Sequence, residues 1–163
     1  MNKAYLAAAM LAATSIVATA PAQAQSCWGP QAVAAAKLRN LDIMLMVTAL
    51  RCRKGADNFQ PDYYTFSAAH QAELNVANGV LRAQLTGGGT TAANRALDRM
   101  STSIANSYGL GHPELGCSEL RKVTRDLATT RTSGALLQAA DALVGAPAIP
   151  GGQCAMRIAT VRR

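Results

Sequence analysis

The chain has 163 residues and a formal net charge of +7, and it is 50% hydrophobic yet only 4% aromatic and 15% charged. That length holds one domain with a substantial core and is short for two, and so little charge with so much apolar content excludes wholesale disorder. The apolar half is mostly Ala and Leu rather than Val, Ile and Phe, which argues against a β-sandwich and for an all-α domain.

Residues 1–24 read as a cleaved signal peptide. Lys3 supplies the positive start, Ala4 to Ala20 the apolar stretch, and Ala22-Gln23-Ala24 the small-x-small cleavage pattern. The apolar stretch is short for a bilayer span of roughly 20 residues. Ala24-Gln25-Ser26 lacks the Leu expected three residues before a lipidated cysteine, so Cys27 is not read as a lipid anchor. Cleavage leaves residues 25–163 as a single helical domain, still basic because only Lys3 is lost. Ala32 to Leu50 comes closest to a later membrane span, but Lys37, Arg39 and Asp42 interrupt it. The expected location is periplasmic or secreted, with no transmembrane anchor. In that setting a pI near 9.7 points to an anionic envelope surface rather than to nucleic acid.

Four helices follow from period and punctuation. The first spans 31–53: Ala34, Leu38, Leu41, Leu45, Thr48 and Cys52 share one face. Ile43, Met46, Val47 and Leu50 add a second stripe, so this helix needs cover on its back as well, from other helices or from a second copy in a homodimer. The second helix spans 61–86, opening on Pro61, whose missing N–H costs nothing in a first turn. Tyr63, Phe66, His70, Leu74, Ala77, Leu81 and Leu85 form its stripe, and Gly79 is read as allowing close helix contact. After Gly87-Gly88-Gly89, Thr90 or Thr91 is expected to cap a third helix over 91–108. A fourth spans 118–144 with a break near 133–134, at Ser133-Gly134. Short connections make sequential helices antiparallel, so the expected fold is an up-down-up-down four-helix bundle.

Four cysteines in an exported chain indicate two disulfides. A helix over 31–53 is about 33 Å long, and Cys27 lies only four residues before it, a reach of about 14 Å. A bridge needs Cα atoms within about 7 Å, which excludes Cys27–Cys52. In an up-down-up-down bundle Cys52 and Cys117 meet at one end and Cys27 and Cys154 at the other, so these are the expected pairs.

The search for chemistry returns little. The two histidines, His70 and His112, have no second ligand at metal spacing, and there is no C-x-x-C-H haem motif. No G-x-S-x-G elbow occurs, and no acidic pair has glycosidase spacing. The chain is therefore read as a non-enzyme without cofactors, binding an envelope protein or an anionic envelope component. Two alternatives are an unrecognised peptidoglycan-directed enzyme using a carboxylate such as Glu73, and a small-ligand or haem carrier using the bundle interior, with Met44 or Met46 and a histidine as haem ligands. The candidate site is a basic rim. Arg51, Arg53 and Lys54 flank Cys52, Arg121, Lys122 and Arg125 follow Cys117, and a Cys52–Cys117 bond brings all six together. Cations at the start of the fourth helix oppose its macrodipole, which invites an anionic partner. Glu114, Glu119 and Asp126 are the acids placed to neutralise the rim locally.

Overall fold

A computed structural model describes residues 27–85, 87–132 and 134–154; the expected signal segment lies outside them. The described residues form six helices and no strand: α1 (Pro30–Cys52), α2 (Gln60–Ala69), α3 (Gln71–Gln84), α4 (Gly89–Ser107), α5 (Cys117–Thr129) and α6 (Ala135–Leu143).

The long first helix is the centre of the molecule. Pro30 opens it with its ring already at a helical φ, and the Ala- and Leu-rich run that follows has high helix propensity. It packs against each of the other five helices, which explains why it is apolar nearly all round. Leu41, Met44, Leu45 and Ala49 are fully buried along it, with Phe59 and Phe66 in the same core. Of the second stripe, Ile43 is buried and Met46 half-buried, but Leu50 is 41% exposed. The expectation of cover for Leu50 is corrected: the last turn of α1 is buried on its Ala49–Cys52 face only.

Polar side chains on α1 tie it to its neighbours. Lys37 pairs with Asp141 of α6, Arg39 donates to Ser101 Oγ of α4 from Nε and Nη2 at 3.2 and 3.0 Å, and Asp42 accepts from the Tyr63 hydroxyl of α2 at 3.1 Å. Thr48, also buried, returns its hydroxyl to the Met44 carbonyl of its own helix at 2.7 Å.

Two of the four expected segments are divided. The second becomes α2 and α3, which meet at His70, a break that the apolar stripe did not signal. Helical hydrogen bonds persist on both sides, from His70 N to Phe66 O and from Leu74 N to His70 O, so the chain bends there. The bend places the buried imidazole against Leu127 O of α5 at 2.8 Å and against the Phe66 ring at 5.3 Å. Gly79 makes no close helix contact, because it is exposed and an added Cβ would meet nothing. The fourth segment becomes α5 and α6. Thr130 is extended after α5, and Gly134 precedes α6 at φ +80°, a backbone that glycine adopts without strain. At the start of α4 the cap position is Gly88, without a side-chain cap, so neither Thr90 nor Thr91 plays the expected part.

The disulfides are Cys27–Cys154 and Cys52–Cys117, with Cα atoms 4.8 and 5.8 Å apart. The first is reinforced by the backbone: Trp28 N donates to Gly152 O at 2.9 Å and Cys154 N to Trp28 O at 3.0 Å. Trp28, buried, thus forms a short parallel bridge with Gln153. Two disulfides fit an oxidising compartment, and no described helix is long and apolar enough to cross a membrane.

Two stability outcomes are expected. Changing Cys52 and Cys117 together to Ser should cost about 2–4 kcal/mol, the usual effect of releasing such a cross-link. Leu41→Ala, at a site with no solvent exposure, should cost about 2–5 kcal/mol. Urea unfolding followed by circular dichroism measures both.

Candidate functional site

The Cys52–Cys117 bond joins the last turn of α1 to the first turn of α5. It thereby gathers Arg51, Arg53 and Lys54 with Arg121, Lys122 and Arg125 at one end of the molecule. Their electrostatic situations differ. Asp62, in the first turn of α2, takes two of them. Arg125 meets it as a fork, Nε to Oδ1 at 3.3 Å and Nη2 to Oδ2 at 3.4 Å. Arg121 lies beside it, Nε to Oδ2 at 3.7 Å, and donates from Nη1 to Ala56 O at 3.5 Å. The acids expected from the sequence to neutralise the rim do not: Glu114, Glu119 and Asp126 form no ion pair with these cations among the described residues. Asp62 is close in space and far in sequence, so adjacency could not reveal it.

Arg51 does something else. Its Nη1 donates to Gly109 O at 3.3 Å, and its side chain lies so close to Gly111 that an added Cβ there would stand 3.3 Å from Nε. The guanidinium thus holds the loop after α4, and on that loop Leu110 is 89% exposed. Arg53, Lys54 and Lys122 have no carboxylate partner among the described residues. The end of the fold therefore presents four cations outside any ion pair, with Leu50 and Leu110 exposed among them.

Both histidines serve the architecture. His112 Nε2 donates to Leu143 O at the end of α6, at 2.8 Å, while its Nδ1 accepts from the backbone N–H groups of Glu114 and Leu115 at 3.2 and 3.1 Å. An imidazole with that Nδ1 role is the neutral Nε2–H tautomer. It pins the α4–α5 connection to the end of α6. At His70, Nε2 is the atom that meets Leu127 O, and Nδ1 is 3.9 Å from the exposed Glu73 carboxylate. Met44 is fully buried and Met46 half-buried on α1. Among the described residues no three His, Cys, Asp or Glu side chains are grouped to hold a metal ion.

The most perturbed titratable pair is Asp42 and Tyr63. Burial pushes the Asp42 carboxyl above its ordinary 3.8, against the opposing pull of the Tyr63 hydrogen bond and the Arg39 charge. Burial also raises the Tyr63 phenol, helped by the Asp42 charge and hydrogen bond. Such pairs often mark catalytic sites, but here the two groups spend their polar atoms on joining α1 to α2. Comparison with protein-family models, with curated proteins and with solved structures finds no match for this chain.

Two outcomes test these assignments. The folded chain holds the Asp42 proton more tightly than the unfolded chain does. The stabilisation from that group is therefore full below 3.8 and is lost as pH rises through the raised value. The native chain should accordingly lose stability relative to Asp42→Asn between acid and neutral pH, read as diverging urea midpoints. His112→Ala, which strands two N–H groups and a carbonyl, should cost about 1–3 kcal/mol by the same measurement.

Proposed function

We propose that this is an exported, non-enzymatic helical protein of the cell envelope, periplasmic or secreted, that docks its basic end on an anionic lipid surface. One observation carries the reading: Arg51, Arg53, Lys54 and Lys122 lie outside any carboxylate pair at the same end as the exposed Leu110. Cations attract anionic headgroups, and an exposed apolar side chain among them adds burial at the acyl boundary. Arg121 and Arg125 contribute less, since Asp62 already occupies them. The two disulfides fit the oxidising compartment that export implies. They also support the up-down-up-down order, with α2–α3 and α5–α6 each counted as one bent arm, because the two staples then sit at opposite ends. A second copy docked through α1 is less favoured, because Ile43 is already buried within the chain.

Sedimentation with vesicles tests the reading. The mature chain should bind vesicles of phosphatidylglycerol mixed with phosphatidylcholine, lose them as salt rises, and ignore pure phosphatidylcholine. At about 1 kcal/mol per basic residue near the surface, Arg53→Gln with Lys54→Gln should weaken binding about thirtyfold. Arg95→Gln with Arg131→Gln removes the same charge elsewhere and should do far less. Equal loss in the two double variants would reduce the effect to net charge and end the proposal.

A further inference from the structure

The loop between α4 and α5 hangs on one imidazole. Its first half is tied back to α4 by backbone bonds, Gly109 N donating to Asn106 O and Gly111 N to Tyr108 O. At its far end Gly116 O accepts from Leu120 N in the first turn of α5. Between these points residues 112–115 make no backbone–backbone bond among the described residues. Pro113 has no N–H to give, and the N–H groups of Glu114 and Leu115 both go to His112 Nδ1, at 3.2 and 3.1 Å. On the other side of the ring, Nε2–H donates to Leu143 O at 2.8 Å, one of the end carbonyls that α6 cannot satisfy internally.

The two ring nitrogens answer an added proton in opposite ways. Nε2 already carries one, so the second goes to Nδ1 and turns it from acceptor into donor. It then faces two N–H groups, and both lose their partner. The contact with α6 does not suffer, because an imidazolium still donates from Nε2 and a cation is favoured at a helix C-terminus. The ring is partly exposed, so protons reach it from solvent. The surrounding charges come from several elements. Arg51 of α1 lies against Gly111 and lines the same small cavity as the imidazole. Glu119 of α5 places its carboxylate against Gly116, and the loop itself carries the exposed Glu114. The end of α4 offers the Tyr108 ring, stacked at 6.3 Å. The one acid of α6, Asp141, is paired with Lys37.

We propose that His112 is an acid-operated release for the α4–α5 connection. Protonation at Nδ1 frees the Glu114–Leu115 turn, while Nε2 keeps the ring on α6. The same loop carries Leu110, but the release is read without lipid and does not depend on the docking proposed above.

NMR of the 15N-labelled, disulfide-intact mature chain reads both halves of the device in one sample. The pH is lowered from about 7.5 to about 5, across the ordinary imidazole range and above that of ordinary carboxylates. The Nδ1 resonance should move from its lone-pair to its protonated position. Protection of the Glu114 and Leu115 amides, corrected for intrinsic exchange, should fall about tenfold in step, the scale of one lost hydrogen bond. The Val144 amide, bonded to Ala140 O at the end of α6, should keep its protection. In His112→Asn the side-chain oxygen can accept from the same N–H groups in the manner of an Asx turn, and it does not titrate. That variant should hold Glu114 and Leu115 constant over the same range. Asp42, whose carboxyl is raised by burial, is present in both proteins, so the difference between them belongs to His112. Three results overturn the proposal: protonation of Nδ1 with the two amides unchanged, equal loss of protection in His112→Asn, or no proton uptake at His112 across the range. Should His112→Asn not fold, Val144 in the native protein is the reference, and equal loss there and at Glu114 overturns it too.

Discussion

A 23-residue helix that is apolar on nearly every face has to be wrapped, and the rest of the chain is arranged to do it. α1 touches all five of the other helices, and each of those needs only one apolar stripe. Interdigitated side chains set how the helices pack, and polar ties add to it. Polar residues threaded through α1 each make a directional contact with a different neighbour. Lys37 meets α6, Arg39 meets α4 and Asp42 meets α2. Burial of Asp42 weakens its hold on charge, the electrostatic cost of placing such a pin near a core. Asn40 is buried on the same helix, and its Oδ1 has no hydrogen-bond partner among the described residues.

Much of this was legible because it follows from chain geometry. The need to surround α1 is written in its double stripe, and the reach of four residues beside a long helix excludes Cys27–Cys52, while the choice between the other pairings rested on the expected order of the helices. The break before α6 was legible in Gly134. The bend at His70 was not, because the apolar spacing runs through it unbroken. The bend coincides with a hydrogen bond from His70 to a carbonyl 57 residues away. The same reason hid Asp62, which meets Arg121 and Arg125 across a separation of about sixty residues. Trp28 and Gln153 form their backbone bridge across almost the whole described chain. Sequence reasoning found the local and the covalent, and missed polar contacts between distant segments.

Charge on the basic end shows how composition and structure diverge. Six cations gathered by one disulfide look uniform in the sequence, yet they fall into three kinds. Two share the single carboxylate of Asp62, one grips a loop carbonyl, and three have no ion pair among the described residues. Arg51 has a double character, because holding the 109–111 loop also presents Leu110 to solvent. The loop that carries this apolar tip is tied to α1 through that guanidinium–carbonyl contact.

The paired ends of the described chain have a mechanical meaning. Cys27 and Cys154 are joined covalently across 127 residues, and the Trp28–Gln153 bridge lies directly against that bond. Tension applied between residues preceding Cys27 and residues following Cys154 passes through sulfur and does not reach the helices. All six helices sit inside a closed covalent ring, shielded from any pull on the two tails while the bond is oxidised. Reduction opens the ring and places the same load on the backbone bridge and then on α1.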